Sequence, residues 1–124
     1  MKVSFTCLII FAQDVDKLKT FYIEKLHLEL IEETKSVWVL LKAGQCEIGL
    51  HKIGEQYLEG AAFKVDNNTK VVFEIDEDIF QLRMDLLKGG VSLREIKQFD
   101  GYDYLLCDGE DPEGNVFQLR QRRS

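Results

Sequence analysis

The sequence predicts an α+β fold made of two βαβββ modules. Three observations carry that expectation. First, apolar runs rich in β-branched and aromatic residues surround two amphipathic stretches of helical spacing, giving the order strand, helix, three strands, written twice. Second, the turns before the last strand of each copy, at Gly44 and Gly114, lie seventy residues apart, and the first strands and helix starts are offset by similar amounts. Third, Asp111-Pro112-Glu113-Gly114-Asn115 has hairpin chemistry. Proline presets its own φ and pushes the preceding residue out of the helical region, while Gly114 and Asn115 tolerate a left-handed backbone. The run that follows alternates, with Phe117 and Leu119 on one face and Val116, Gln118 and Arg120 on the other, as in a half-buried strand.

Each element has its own signal. Val3 to Phe11 is almost continuously apolar, which predicts a strand covered on both faces. Asp14 offers an N-cap and Asp16 a first-turn negative charge; Val15, Leu18, Phe21, Tyr22 and Leu26 then recur at helical spacing. Leu28 to Glu32 reads as a short strand. Val37 to Lys42 alternates, with Val37, Val39 and Leu41 opposite Trp38, Leu40 and Lys42. After Ala43-Gly44-Gln45 the chain returns as Cys46 to Ile53, with Cys46, Ile48 and Leu50 opposite Glu47, Gly49 and His51. Gly54 to Asn68 has no period and reads as a connector. Lys70 to Ile75 is a dense strand. Asp76-Glu77-Asp78 opens a second helix with Ile79, Leu82, Leu86 and Leu87 as its apolar face, closed by Gly89-Gly90. Strands at Val91 to Lys97 and Tyr102 to Cys107 precede the hairpin.

Two copies make a duplication and not a solenoid. A unit of roughly 60 residues is marginal alone because it buries too little surface. Its helix can cover one face of its sheet, and the other face needs a partner. The expectation is therefore a single domain, 1–124, with one module at 1–53, a connector at 54–68 and a second module at 69–124, the two sheets enclosing a groove.

Composition narrows the function. A net charge of −6 disfavours nucleic acid and anionic membrane, and it permits a cationic or polar small ligand. Cys7, Cys46 and Cys107 are odd in number, widely spaced and set in apolar runs. That indicates buried free thiols in a reducing cytoplasm, with neither a disulfide framework nor a zinc knuckle. The apolar start after Lys2 has one basic residue and no small-x-small cleavage site, so it reads as a strand and not as a signal peptide. No run approaches membrane-spanning length.

Asp14-Val15, Phe21-Tyr22 and Leu26-His27-Leu28, together with Asp111-Pro112-Glu113-Gly114-Asn115 and Gln118-Leu119, resemble the conserved blocks of the vicinal-oxygen-chelate superfamily. That superfamily includes glyoxalase I, extradiol dioxygenases and bleomycin-resistance proteins. The resemblance covers nearly the whole chain and implies a glyoxalase-like open barrel around the groove. His27 stands where the pattern has Gly, at a helix end expected in the left-handed region. The resemblance also implies a homodimer, and in the enzymes a divalent metal held by one side chain from each of four strands. Those positions fall here on Cys7, Gly49, Val71 and Gln118. None is His, Asp or Glu, and catalytic metals need about three strong donors. No metal and no cofactor are therefore expected.

If Cys7 and Gln118 face the groove, alternation brings in Phe5, Ile9 and Phe73 as an apolar floor, and Trp38, Glu47, His51, Arg120 and Tyr104 as polar or aromatic tips. The candidate ligand groove is thus Phe5, Cys7, Trp38, Glu47, His51, Phe73, Tyr104 and Gln118. The leading expectation is metal-free binding of a small molecule, like that of the resistance proteins that sequester an antibiotic. One alternative is a metal-dependent lyase, isomerase or dioxygenase with displaced ligands such as Cys7, Glu47 and His51. The other is a non-catalytic interaction module with a filled groove.

Overall fold

The computed structural model describes residues 1–54 and 69–123, so the connector expected at 54–68 lies outside the described residues except for Gly54. The chain divides into two compact units, Met1–Phe63 and Lys64–Ser124. Each carries one helix and one mixed sheet. Among the described residues no helix is long and apolar enough to cross a membrane.

In the first unit the elements are β1 (Cys7–Ala12), α1 (Val15–Glu24), β2 (Glu29–Thr34), β3 (Trp38–Ala43) and β4 (Cys46–Lys52). The sheet order is β1-β4-β3-β2, with β1 parallel to β4 and the other pairs antiparallel. Asp14 caps α1 by accepting from the Lys17 amide at 3.0 Å. Val15, Leu18, Phe21 and Tyr22 form its buried face, which packs on β3 and β4 over Val39, Leu41, Ile48 and Leu50. Each such side chain, fully buried, is worth about 1.5–3 kcal/mol. His27 has φ +58°, the left-handed helix exit expected from the sequence. The next amide, Leu28, then donates to the Tyr22 carbonyl at 3.0 Å and the chain turns into β2.

The first strand differs from expectation. It begins at Cys7 and not at Val3, and it is covered on one face only. Val3 and Phe5 lie before it, exposed, and Ile9 and Phe11 stand out from its open side. An apolar run cannot distinguish two covered faces from one covered and one apolar open face.

The second unit contains β5 (Val71–Glu74), α2 (Ile79–Lys88), β6 (Ser92–Leu93), β7 (Lys97–Gln98), β8 (Tyr104–Glu110) and β9 (Val116–Arg122). Its order is β5-β9-β8-β6, with β7 also on β8 and β5 parallel to β9. Asp78 caps α2, and the Gln121 side chain accepts from the Ile79 amide at 2.9 Å. Gly89 is the C-cap, and Gly90 follows in the left-handed region at φ +87°. Ile79 and Leu86 are buried, whereas Leu87 of the expected apolar face is exposed.

The strand expected at Val91 to Lys97 is broken in two. Between the pairs Leu93/Gly109 and Lys97/Leu106 its side advances four residues against three on β8. That extra residue is a bulge. It turns the Arg94 carbonyl toward Arg83 Nε at 2.9 Å and the Cys107 thiol at 3.4 Å.

The β8–β9 hairpin is organised by one carboxylate. Asp111 Oδ1 accepts from the amides of Glu113 (2.9 Å) and Asn115 (3.0 Å), and Oδ2 accepts from Asn115 Nδ2 at 2.8 Å. Gly114 takes the left-handed position at φ +88°. Asn115 does not, because only His27 and Ser36 do so among the described non-glycine residues. Its side chain, buried with that of Asp111, serves the hydrogen-bond ring instead.

Candidate functional site

Strand register decides which side chains share a face. In the first unit Cys7 pairs with Glu47, Ile9 with Gly49 and Phe11 with His51, while β3 sets Trp38 opposite His51. Cys7, Trp38, Glu47 and His51 therefore stand on one face, the one that α1 does not cover. Phe5 does not join them, because it precedes the strand and is 76% exposed. Phe11 takes its place. It is 58% exposed, and its ring meets His51 edge-on at 5.8 Å between centroids. Trp38 approaches His51 from the other side at 6.1 Å. The same alternation that singles out Cys7 and Ile9 also selects Phe11, which the sequence reading passed over.

Gly49 lies beneath the Trp38 indole. A β-carbon there would come 2.7 Å from Trp38 Cζ3, nearer still to Cη2, and 3.3 Å from Ile9 Cγ1. Carbon atoms in contact keep about 3.5–4.0 Å. The indole thus occupies the space that a ligating side chain at position 49 would need.

In the second unit β5 pairs with β9 through Val71/Phe117, Val72/Gln118, Phe73/Leu119 and Glu74/Arg120. This corrects one expected site residue. Phe73 shares the helix-covered face with Phe117, 6.3 Å away between ring centroids, and not the face of Gln118. Val71 lies with Phe73, so the third position carried over from the resemblance also points away from Gln118. The strand parity was off by one, and a slip of one residue exchanges the faces.

The open face of this sheet is polar. Gln118 Nε2 donates to Asp108 Oδ1 at 2.9 Å, and Lys70 Nζ reaches Asp108 Oδ2 at 3.0 Å. Burial alone would raise the Asp108 carboxyl, but the hydrogen bonds from Gln118 and Lys70 outweigh it and hold it below the usual carboxylate range. Arg120 is paired with Glu74 at 2.9 Å, and its guanidinium lies 4.2 Å from the centre of the Tyr104 ring. Arg122 donates to the Tyr104 hydroxyl at 3.2 Å. Tyr104 and Gln118 therefore sit on one face, as expected, among Glu74, Asp108 and Arg122, which the sequence reading did not single out.

Among the described residues no group of three or more His, Cys, Asp or Glu side chains could hold a metal ion. The four carried-over positions do not fit one. Gly49 offers no donor and is roofed by Trp38, Val71 is apolar and faces the other way from Gln118, and Gln118, whose Nε2 donates to Asp108, offers a weak neutral amide oxygen, so that Cys7 is the single strong donor among the four. The thiols are three separate cases: Cys7 is half-buried, Cys46 is exposed against expectation, and Cys107 is buried, which pushes its thiol pKa up.

Two βαβββ units of this topology make a glyoxalase-like α+β fold, and solved structures share it. A lactoylglutathione lyase from Agrobacterium tumefaciens is 13% identical over 97% of this chain and 94% of its own, with a TM-score of 0.74. The fosfomycin resistance protein FosX from Listeria monocytogenes is 12% identical, over 98% and 94%, at 0.76. An antibiotic binding protein from a Streptomyces species is 20% identical, over 98% of each chain, at 0.72. At these identities the likeness is one of fold. No protein-family model matches the chain, and no curated protein matches it by sequence.

Proposed function

We propose that the protein binds a small molecule without a metal, as a homodimer in the cytoplasm, its two modules forming one domain around a groove. The observation that carries this is Trp38 lying over Gly49, with His51 held between Trp38 and Phe11. A residue type that cannot ligate stands at a metal position, and the space above it is an aromatic surface. Such surfaces favour flat, apolar ligand bodies, and the few polar groups beside them set orientation. Glu47, on the same face as His51, suits a cationic or hydrogen-bond-donating substituent, in keeping with the chain's net charge of −6. The antibiotic-binding neighbour lends the same fold to this kind of task.

The test is elemental metal analysis of protein purified without a metal-affinity step, before and after reloading with Zn²⁺, Ni²⁺, Mn²⁺ and Fe²⁺, followed by a thermal-shift screen of polycyclic aromatic compounds. The expected result is no retained metal, no metal-induced rise in Tm, and ligand-induced rises that Phe11→Ala and Trp38→Ala abolish. One tightly held metal per chain would overturn the proposal.

A further inference from the structure

The open face of the second sheet ends in a corner where positive charge collects. Arg120 and Arg122 of β9 share this face with Tyr104 of β8, the register partner of Arg122. The Arg120 guanidinium lies 4.2 Å from the centre of the Tyr104 ring and that of Arg122 lies 5.6 Å from it. Two like charges beside one ring repel each other unless counter-charge is supplied. Glu74 supplies one such charge, a single oxygen, Oε1, lying 2.9 Å from Arg120 Nη2 and 3.1 Å from Nε. Among the described residues Arg122 has no carboxylate partner. Lys97 stands opposite Leu106, which stands opposite Arg120, so a third cation joins the same face. It too lacks an ion pair among the described residues. Three cations against one carboxylate leave this corner positive in a chain whose net charge is −6. Farther along β8 the charges cancel, Lys70 on Asp108 and Arg94 on Glu110.

The hydrogen-bonding capacity of the corner is one-sided as well. The Tyr104 hydroxyl accepts from Arg122 Nη1 at 3.2 Å, which leaves its own proton to donate. A guanidinium carries only N–H donors, and Tyr104 engages Arg122 through Nη1 alone. Arg120 is held by Glu74 and the ring, its side chain 32% exposed, so its charge is fixed in place before any ligand arrives. Beside these groups stands Tyr102, 42% exposed, its ring 5.4 Å from that of Tyr104 and tilted by 46°.

We propose that this corner binds an oxyanion, a carboxylate or phosphate carried on a flat ring. Arg122 and the Tyr104 hydroxyl donate to its oxygens, Arg120 and Lys97 supply charge, and Tyr102 meets the ring. Donors without free acceptors are complemented by an acceptor-only group, and a guanidinium fork matches the two oxygens of a carboxylate or phosphate. This site goes beyond the proposed function, whose aromatic surface belongs to the first sheet, and does not depend on it.

NMR titration of the ¹⁵N-labelled full chain with benzoate, phenyl phosphate, inorganic phosphate and benzylamine tests it. Benzoate and phenyl phosphate should give saturable shifts at Arg122 Nε–H and at the amides of Tyr104 and Arg122. Inorganic phosphate should bind there more weakly, and benzylamine should leave these signals in place. Either order of the first two supports the site, and the tighter one names the oxyanion. Arg122→Gln and Tyr104→Phe, which keeps the ring, should each weaken binding by about tenfold. Trp38→Ala and Phe11→Ala should leave it unchanged. Equal affinity in wild type and Arg122→Gln, shifts that never saturate, or benzylamine acting on the same signals would overturn the proposal. Binding lost in Trp38→Ala and kept in Arg122→Gln would assign the anion to the first sheet and refute this corner.

Discussion

Adding one methyl group at position 49 should unseat Trp38. In Gly49→Ala the new β-carbon would start 2.7 Å from Trp38 Cζ3 and 3.3 Å from Ile9 Cγ1. The indole must therefore withdraw by about an ångström, because carbon contacts settle near 3.5–4.0 Å. The strand backbone cannot yield as readily, since Gly49 is paired on both sides, to Ile9 and to Leu40. Lifting one face of the ring uncovers about 60–100 Å², worth about 1.5–2.5 kcal/mol at about 25 cal/mol per Å². Swinging of the ring's free end brings the expected cost toward the lower figure, with a fall in Tm of about 5–10 °C for a chain of this size. Trp38 is the only tryptophan, so its emission reports this ring alone. Gly49→Ala should shift the emission to the red and increase quenching by acrylamide. In a Trp38→Ala background the same alanine should cost less than about 0.5 kcal/mol, a coupling of at least about 1 kcal/mol. Unchanged emission, or an equal cost in both backgrounds, would show that the indole does not roof Gly49.

Two further outcomes follow from the second unit. Asp111→Ala removes the acceptor of three hydrogen bonds inside a buried turn, and urea unfolding should show a loss of about 3–4 kcal/mol; a loss below about 1 kcal/mol would contradict the organising role of that carboxylate. Asp108 has a pKa depressed in the folded state, so its contribution is complete above the unfolded value of about 4 and disappears as pH falls through the lower folded value. Asp108→Asn should therefore flatten the decline of stability below about pH 4, and parallel acid-unfolding curves for the two proteins would count against it.

Local chemistry was legible in the sequence, and pairing was not. The Asp14 N-cap, the acidic start of the second helix, the left-handed exit at His27 and the turn at Gly114 each follow from a residue and its near neighbours, and each stands where the sequence sets it. Val71-Val72-Phe73 is different. An apolar run shows no alternation, so only the register with β9 reveals that Phe73 and Gln118 lie on opposite faces. The break after Leu93 depends on Arg83 and Cys107 capturing the Arg94 carbonyl, contacts that span eleven and thirteen positions. Of the candidate site, Cys7 came from the resemblance, and Trp38, Glu47 and His51 came from parity with it. The roof over Gly49 required knowing how the Trp38 side chain lies across its neighbour strand, which no spacing rule encodes.

The parallel pairs also set an order of assembly. In the first unit every strand has its neighbours once Lys52 has been made. In the second, β9 is the last of the described strands in chain order and yet lies inside its sheet, joining β5 to β8. Until it emerges from the ribosome, β5 lacks its partner among the described strands, and Val71 and Phe73 lack Phe117 and Leu119 beside them. Vectorial synthesis thus delivers the two units in turn: the first has all its described strands well before β9 is made, and the second sheet waits for β9.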